Sequence, residues 1–104
     1  MKISQDVRSG WCVVSPRGRA DLAASNDLEA TLVAAASNHK KVALDLAALD
    51  YISSAGLRAV LQGARAAQTQ GAEFVVCSPT AGVQKVFEIS GMDRLIRLEG
   101  ALPC

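Results

Sequence analysis

Two adjacent hydroxyls, those of Ser53 and Ser54, stand where an apolar, strand-like segment gives way to an amphipathic, helix-like one. A serine hydroxyl can receive a phosphoryl group, and the free N–H groups and positive dipole end of a helix N-terminus favour an anion there. Serine is also among the best helix-capping residues, so a plain capping role is the competing interpretation. The residue types alone leave both interpretations open.

Other side chains that could support catalysis are few and dispersed. Asp21, Asp45 and Asp50 lie near predicted strand ends, but dispersed carboxylates are usually solvated, whereas a catalytic pair requires a burial-shifted pKa. The single histidine, His39, lies in a polar turn beside two lysines, which indicates an exposed residue rather than a ligand or a general base. Metal-ligand clusters, Gly-x-Gly-x-x-Gly and Walker A patterns are absent. The sequence therefore predicts a protein that is not an enzyme and needs no cofactor or metal.

Composition narrows the class of partner and the compartment. The 104 residues, half of them hydrophobic, predict one domain spanning 1–104 with a sizeable core. A net charge of +1, with the eleven Lys and Arg spread along the chain, predicts no nucleic-acid partner. No apolar run reaches the length of a membrane span and no signal-peptide core is present, so we expect a cytoplasmic protein that does not enter a membrane.

The three cysteines are widely spaced and odd in number, which argues against a disulfide framework, a zinc site or a redox pair. Cys12 and Cys77 lie in apolar strand-like segments and are predicted to be buried free thiols. Cys104, the last residue, is expected to be exposed.

The elements that must position the serines alternate between strands and helices. Apolar patterns predict a hairpin turning at Ser9-Gly10, a second strand ended by Pro16-Arg17-Gly18, and helix 54–70 with Leu57 and Val60 in the core. The predicted strands are 2–8, 11–15, 42–46, 73–77 and 95–98, and the other predicted helices are about 23–37 and 80–89. This β-β-α-β-α-β-α-β order predicts an α/β domain with a mixed, mostly parallel sheet of four to five strands and about three to four helices.

The segment 45–57, DLAALDYISSAGL, resembles the signature of STAS domains, and in particular of stand-alone anti-sigma factor antagonists of bacterial partner-switching systems. The segment 18–21, GRAD, resembles the family's Gly-x-x-Asp before the first helix. Segment 73–79 is similar to its fourth strand, and 83–92 to its third helix and the following turn. The resemblance covers almost the whole chain and implies a single STAS-type domain.

The resemblance also implies a mechanism. In the family, the unmodified antagonist binds a serine-kinase anti-sigma factor of the HATPase type and displaces the factor that this kinase was holding. The kinase phosphorylates one serine of the antagonist, which ends the interaction, and a PP2C-type serine phosphatase restores it. The acceptor lies two positions before the signature glycine, so the resemblance makes Ser54 the expected phosphorylation site. Ser53 stands where the family often has an aspartate, which leaves it as the alternative acceptor.

The expected partner-binding residues are those that the resemblance places near the acceptor serine. A monomer is the oligomeric state expected of such an antagonist. Asp21 matches an acidic position implied in the kinase contact, although capping of the first helix explains it as well. Gly56 either lets a partner approach closely or allows a close helix–sheet contact. One of Tyr51 and Ile52 must point into the core by alternation, and the other can offer apolar surface. The full expected set is Asp21, Tyr51, Ile52, Ser53, Ala55, Gly56 and Arg58, the last of which could partly compensate a phosphate on Ser54.

Two other functions compete with this hypothesis. Degenerate STAS domains serve as permanent scaffold components in lipid-transport and stress-sensing complexes, but the retained acceptor serine favours the switching function. A receiver-like enzyme would need an acidic pair after the first strand of the parallel sheet. The chain instead has Asp45 and Asp50 around the third predicted strand.

Overall fold

The computed structural model describes residues 1–101 and contains six strands and three α-helices. The strands are β1 (Lys2–Arg8), β2 (Trp11–Ala20), β3 (Lys41–Asp45), β4 (Leu49–Ile52), β5 (Glu73–Cys77) and β6 (Leu98–Glu99). The helices are α1 (Ser25–Asn38), α2 (Ser54–Gln70) and α3 (Ala81–Ser90), and a single 3-10 turn covers Met92–Arg94. Cys104, predicted to be exposed, lies outside the described residues.

The strands form one mixed sheet in the order β1-β2-β3-β5-β6, with β4 paired to β2 off this path. The β1–β2 hairpin is antiparallel and turns at Ser9-Gly10, where both residues have positive φ. Every other pairing is parallel, and each helix connects parallel strands, which is what alternating strands and helices predict. The predicted α/β class and the mostly parallel sheet are confirmed.

The sheet has one strand more than the sequence pattern predicts, because β4 has no period-2 signal. Leu49 and Ile52 are buried while the two residues between them are exposed. A strand of four residues with that pattern cannot be distinguished from a loop by alternation. This strand leads directly into Ser53.

Two predicted strand ends are wrong. β2 continues beyond Pro16-Arg17-Gly18 to Ala20. Its pairing with β3 ends at Val14, and its pairing with β4 begins at Gly18. Pro16, which has no N–H to donate, therefore lies between these two parallel pairings. The last strand is Leu98–Glu99 rather than 95–98, because the N–H groups of Leu95 and Ile96 donate to the carbonyl oxygen of Met92, in the 3-10 turn that precedes them.

Strands β2, β3 and β5 are buried on both faces, and their alternate residues contribute to two separate clusters. The main core joins strand residues such as Val14 and Leu44 to apolar residues from all three helices, including the predicted Leu57 and Val60. The second cluster consists of strand residues alone, namely Trp11, Val13, Ala43, Val75 and Cys77.

Cys12 and Cys77 are buried and free, as predicted. Burial, reinforced by the nearby carboxylates of Asp45 and Glu99, raises the pKa of the Cys77 thiol to about 12. The thiol therefore stays protonated at neutral pH and behaves as a small core hydrophobe.

Helix α2, which begins at Ser54, is held closely against α1. At Gly63 a β-carbon would lie only 2.7 Å from Cβ of Leu32, so the two helices cross where α2 has no side chain. The helix ends at Gly71, a left-handed C-cap with φ 70°. Both ends of α2 agree with the sequence prediction.

Candidate functional site

Ser53 is the N-cap of α2 and joins the start of the helix to the end of β2. Its backbone N–H and its hydroxyl both donate to the carbonyl oxygen of Ala20, each at 2.9 Å. Its Oγ also accepts from the N–H of Gly56 at 3.1 Å. The half-buried hydroxyl therefore uses its one proton and one of its lone pairs in the fold.

Ser54, the first residue of α2, has the opposite environment. Its side chain is exposed, and within residues 1–101 its hydroxyl has no hydrogen-bond partner. A hydroxyl in this position can be reached by another protein without breaking any contact of the fold. A phosphate placed there would lie at the N-terminus of a helix of 17 residues, which favours negative charge.

The different roles of the two serines predict different effects of removing their hydroxyls. Ser53→Ala is expected to lower the free energy of unfolding by about 1–2 kcal/mol, because the cap is lost and the Gly56 N–H is left unsatisfied. Ser54→Ala is expected to change it by less than about 0.5 kcal/mol, as for an ordinary surface position. Urea unfolding of both variants measures the difference, with Ser53→Thr as the variant that keeps a hydroxyl. Equal stability of the two alanine variants would contradict the structural role of Ser53.

The two residues before the cap point in opposite directions. Tyr51 is 40% exposed, whereas Ile52 is 3% exposed and belongs to the main core. The prediction that Ile52 offers its side chain to a partner is therefore wrong, because that side chain packs in the main core. Tyr51 lies opposite Arg19 in the β2–β4 pair, and the guanidinium carbon of Arg19 is 4.2 Å from the centre of the tyrosine ring.

Gly56 makes a close contact inside the fold rather than an opening for a partner. A β-carbon at this buried position would lie 2.8 Å from the Ala20 carbonyl oxygen and 2.8 Å from Cγ1 of Ile52. Of the two interpretations drawn from the sequence, the structure therefore supports the close helix–sheet contact. The neighbouring Ala55 is half-buried, and Arg58 is exposed one turn further along α2.

Asp21 follows Ala20 at the end of β2, so it is close to Ser53 in space. Its carboxylate Oδ1 accepts from the N–H of Ala24 at 3.0 Å, which stabilises the turn before α1. The N-cap of α1 is Ala24, which has no side-chain cap hydrogen bond, so Asp21 bonds the turn that precedes the helix and does not cap the helix itself. Its exposed carboxylate stays accessible from solvent. Leu22, the next residue, is 77% exposed.

The sequence prediction missed Leu22 and Arg19 as members of this surface. Both lie within or beside the segment GRAD that resembles the family pattern, and that adjacency is the signal that could have identified them. Neither residue belongs to a periodic apolar or helical pattern, so such patterns could not have identified it.

The remaining candidates do not gather into a catalytic or metal site. Asp45 accepts from the N–H of Ala47 in a local turn, Asp50 is exposed, and His39 is the C-cap of α1. Within residues 1–101 no group of three or more His, Cys, Asp or Glu is placed to hold a metal ion. None of the helices in the same range is long and apolar enough to cross a bilayer.

The fold and the site together define a small α/β domain that presents an exposed hydroxyl on an open surface. A family model described as "Mlab, STAS domain" matches residues 3–98. BtrV of Bordetella bronchiseptica, which is named as a candidate anti-sigma factor antagonist, is 41% identical over 92 residues, or 88% of this chain and 79% of that protein. The chain belongs to the STAS domain family.

Solved structures share the same fold. A candidate anti-sigma factor antagonist from Thermotoga maritima superimposes with a TM-score of 0.86 at 16% identity, over 96% of this chain and 87% of that one. The phosphorylated form of the Bacillus cell-fate determinant SpoIIAA gives 0.71 at 19% identity, over 93% of this chain and 90% of that one. At such identities the likeness shows the fold.

Proposed function

We propose that this protein is an anti-sigma factor antagonist whose unphosphorylated form binds a serine-kinase anti-sigma factor and releases the factor held by that kinase. Phosphorylation of Ser54 ends the binding, and a serine phosphatase restores it. One observation carries the choice of residue: the Ser54 hydroxyl is exposed and unbonded within residues 1–101, whereas the Ser53 hydroxyl holds α2 to β2. The likeness to BtrV supports the function, and SpoIIAA supports the switch, since it is known in unphosphorylated and phosphorylated forms.

In this proposal the two partner enzymes carry out the phosphoryl transfer and the hydrolysis, and this chain supplies only the hydroxyl of Ser54. The kinase transfers the γ-phosphoryl group of ATP to Oγ of Ser54, so that an O–P bond forms, the bond to the leaving ADP breaks, and the hydroxyl proton passes to a base of the kinase. The phosphatase returns the hydroxyl by hydrolysis, releasing inorganic phosphate. The domain supplies an accessible oxygen and a surface, and its role is regulatory rather than catalytic.

The partner-binding surface is proposed to surround this oxygen. Tyr51 and Leu22 contribute exposed apolar area, and Asp21 and Arg58 contribute charges of both signs. A mixed surface with exposed apolar groups at its centre is typical of regulated protein–protein contacts. In this proposal the antagonist acts as a cytoplasmic monomer that exchanges between kinase and phosphatase.

Mass spectrometry after incubation with ATP, magnesium and candidate serine-kinase anti-sigma proteins of the same genome tests the proposal. We expect one phosphate, located on the peptide at Ser54, together with loss of the complex. Ser54→Ala should abolish the modification and keep the binding, and Ser53→Ala should keep both. A phosphate on Ser53 would leave the mechanism standing and move the acceptor.

The alternative function, a permanent scaffold component, makes a different prediction in the same experiment. A scaffold binds its partner stably, takes up no phosphate, and is unaffected by substitution at Ser54. That combination of results would overturn the switching proposal.

A further inference from the structure

Arg19 is a cation without a carboxylate partner, placed on an aromatic ring beside the candidate acceptor. Within residues 1–101 the ion pairs are Arg8–Asp6 and Arg97–Glu99, and Arg19 takes part in neither. Its guanidinium carbon lies 4.2 Å from the centre of the exposed Tyr51 ring. A cation–π contact at an exposed site is weak, so the side chain can leave the ring for a stronger anionic partner.

The backbone brings Arg19 towards Ser54 even though 35 positions separate them in the sequence. The carbonyl oxygen of Ala20 lies 2.9 Å from both the nitrogen and Oγ of Ser53. Arg19 precedes Ala20 in the chain, and Ser54 follows Ser53. The Cα of Arg19 is therefore about 3.8 Å from that of Ala20, and the Cα of Ser54 is about 3.8 Å from that of Ser53. We take the long, exposed side chain of Arg19 to span the gap to an anion on Ser54.

We propose that Arg19 binds the phosphoryl group on Ser54, leaving the ring of Tyr51 when the serine is modified. The inference rests on the proposed function only in taking Ser54 as the phosphorylated residue. A guanidinium fork can donate two hydrogen bonds to phosphate oxygens, and charge-assisted bonds of this kind are stronger than an exposed cation–π contact. Arg58, one helical turn beyond Ser54, approaches the same phosphate from the helix side.

This exchange makes modification change the surface in two ways. The phosphate adds negative charge at Ser54, and the move of Arg19 withdraws a positive charge from the face that carries Tyr51. The ring of Tyr51 then loses its cover. A partner that recognises the stacked Arg19–Tyr51 pair therefore meets a surface altered in charge and in shape.

The test uses full-length protein in which phosphoserine is introduced at position 54 by genetic encoding, so that no kinase is needed. In a ³¹P NMR titration, Arg19→Gln should lower the second acid dissociation constant of the phosphate about threefold, the size of effect that a surface ion pair supplies. The sign follows because a nearby cation favours the dianion, and its removal lets the proton bind at higher pH. Arg17→Gln, an exposed arginine of the same strand, is the matched control and should leave the titration unchanged. Arg58→Gln measures how much Arg58, on α2, contributes to the same change in the phosphate titration.

Proton NMR of Arg19 gives a second readout. In the unmodified protein its δ protons should show the upfield shift of a group above an aromatic ring, and Tyr51→Leu should abolish that shift. Phosphoserine at position 54 should abolish it as well. Equal effects of Arg17→Gln and Arg19→Gln, or an Arg19 shift that persists beside phosphoserine, would overturn the inference. Failure of every kinase to modify Ser54 would instead count against the proposed function and leave this result standing.

Discussion

Phosphorylation of Ser54 is expected to weaken the proposed complex with an anti-sigma kinase by at least about 100-fold while leaving the domain folded. The phosphate carries about −1.5 to −2 charges at neutral pH. Burying such a group against a partner surface that offers no counter-ion costs several kcal/mol, even where arginines of the antagonist compensate part of its charge, and about 1.4 kcal/mol corresponds to each tenfold loss of affinity. The change in affinity is therefore large compared with any change in the fold.

The fold is expected to tolerate the phosphate because of where Ser54 lies. Its side chain is exposed and bonded to nothing within residues 1–101, so modification breaks no internal hydrogen bond. The helix N-terminus favours an anion, and the exposed Arg58 lies one turn further along the same helix. Thermal unfolding of the modified and unmodified proteins should therefore give the same midpoint to within a few degrees.

Titration calorimetry with the kinase partner measures the effect on binding. Protein with phosphoserine at position 54 is compared with unmodified protein and with protein carrying phosphoserine at Ser37, an exposed position on α1 that controls for added charge alone. Ser54→Asp, which adds a single charge, should weaken binding less than phosphoserine does. Affinity unchanged by phosphoserine at 54, or reduced equally by phosphoserine at 37, would contradict a switch located at this surface.

Gly63→Ala is expected to lower the free energy of unfolding by about 1–3 kcal/mol, the usual effect of overpacking a close contact. The new β-carbon would lie 2.7 Å from Cβ of Leu32 and 3.0 Å from its Cδ1. Cβ of Leu32 is attached to the backbone of α1 and cannot rotate away, so the helices must move apart. Alanine gains up to about 1 kcal/mol over glycine in helix propensity, which offsets only part of this loss.

Gly82→Ala is the matched control, because it is the same substitution in α3 with no atom within 4 Å of the new β-carbon. It should leave stability unchanged or raise it by up to about 1 kcal/mol, because only the propensity difference acts there. Urea unfolding of both variants, compared with the parent protein, separates packing from propensity. Equal stabilities of the two variants would show that the α1–α2 contact tolerates a methyl group.

Much of the fold follows from local signals in the sequence. The ends of α2 are predicted correctly because Ser53 and Gly71 carry the capping chemistry of a helix start and a helix end. The hairpin at Ser9-Gly10 and the α/β class follow from turn residues and from the alternation of strand and helix patterns. The resemblance to the family signature, in which the acceptor lies two positions before the glycine, implies Ser54 as the candidate acceptor.

The tertiary structure alone decided how the candidate site is built around that acceptor. Only the pairing of β2 with β4 shows that the hydroxyl of Ser53 is bonded to Ala20 and that Gly56 is enclosed by the same carbonyl. The same pairing turns Ile52 inward and places Arg19 on Tyr51. These contacts join residues more than 30 positions apart, as between Ser53 and Ala20, where the separation is 33. Capping and periodicity act over one or two helical turns, so the sequence alone could locate the serines while only the folded chain could distinguish their roles.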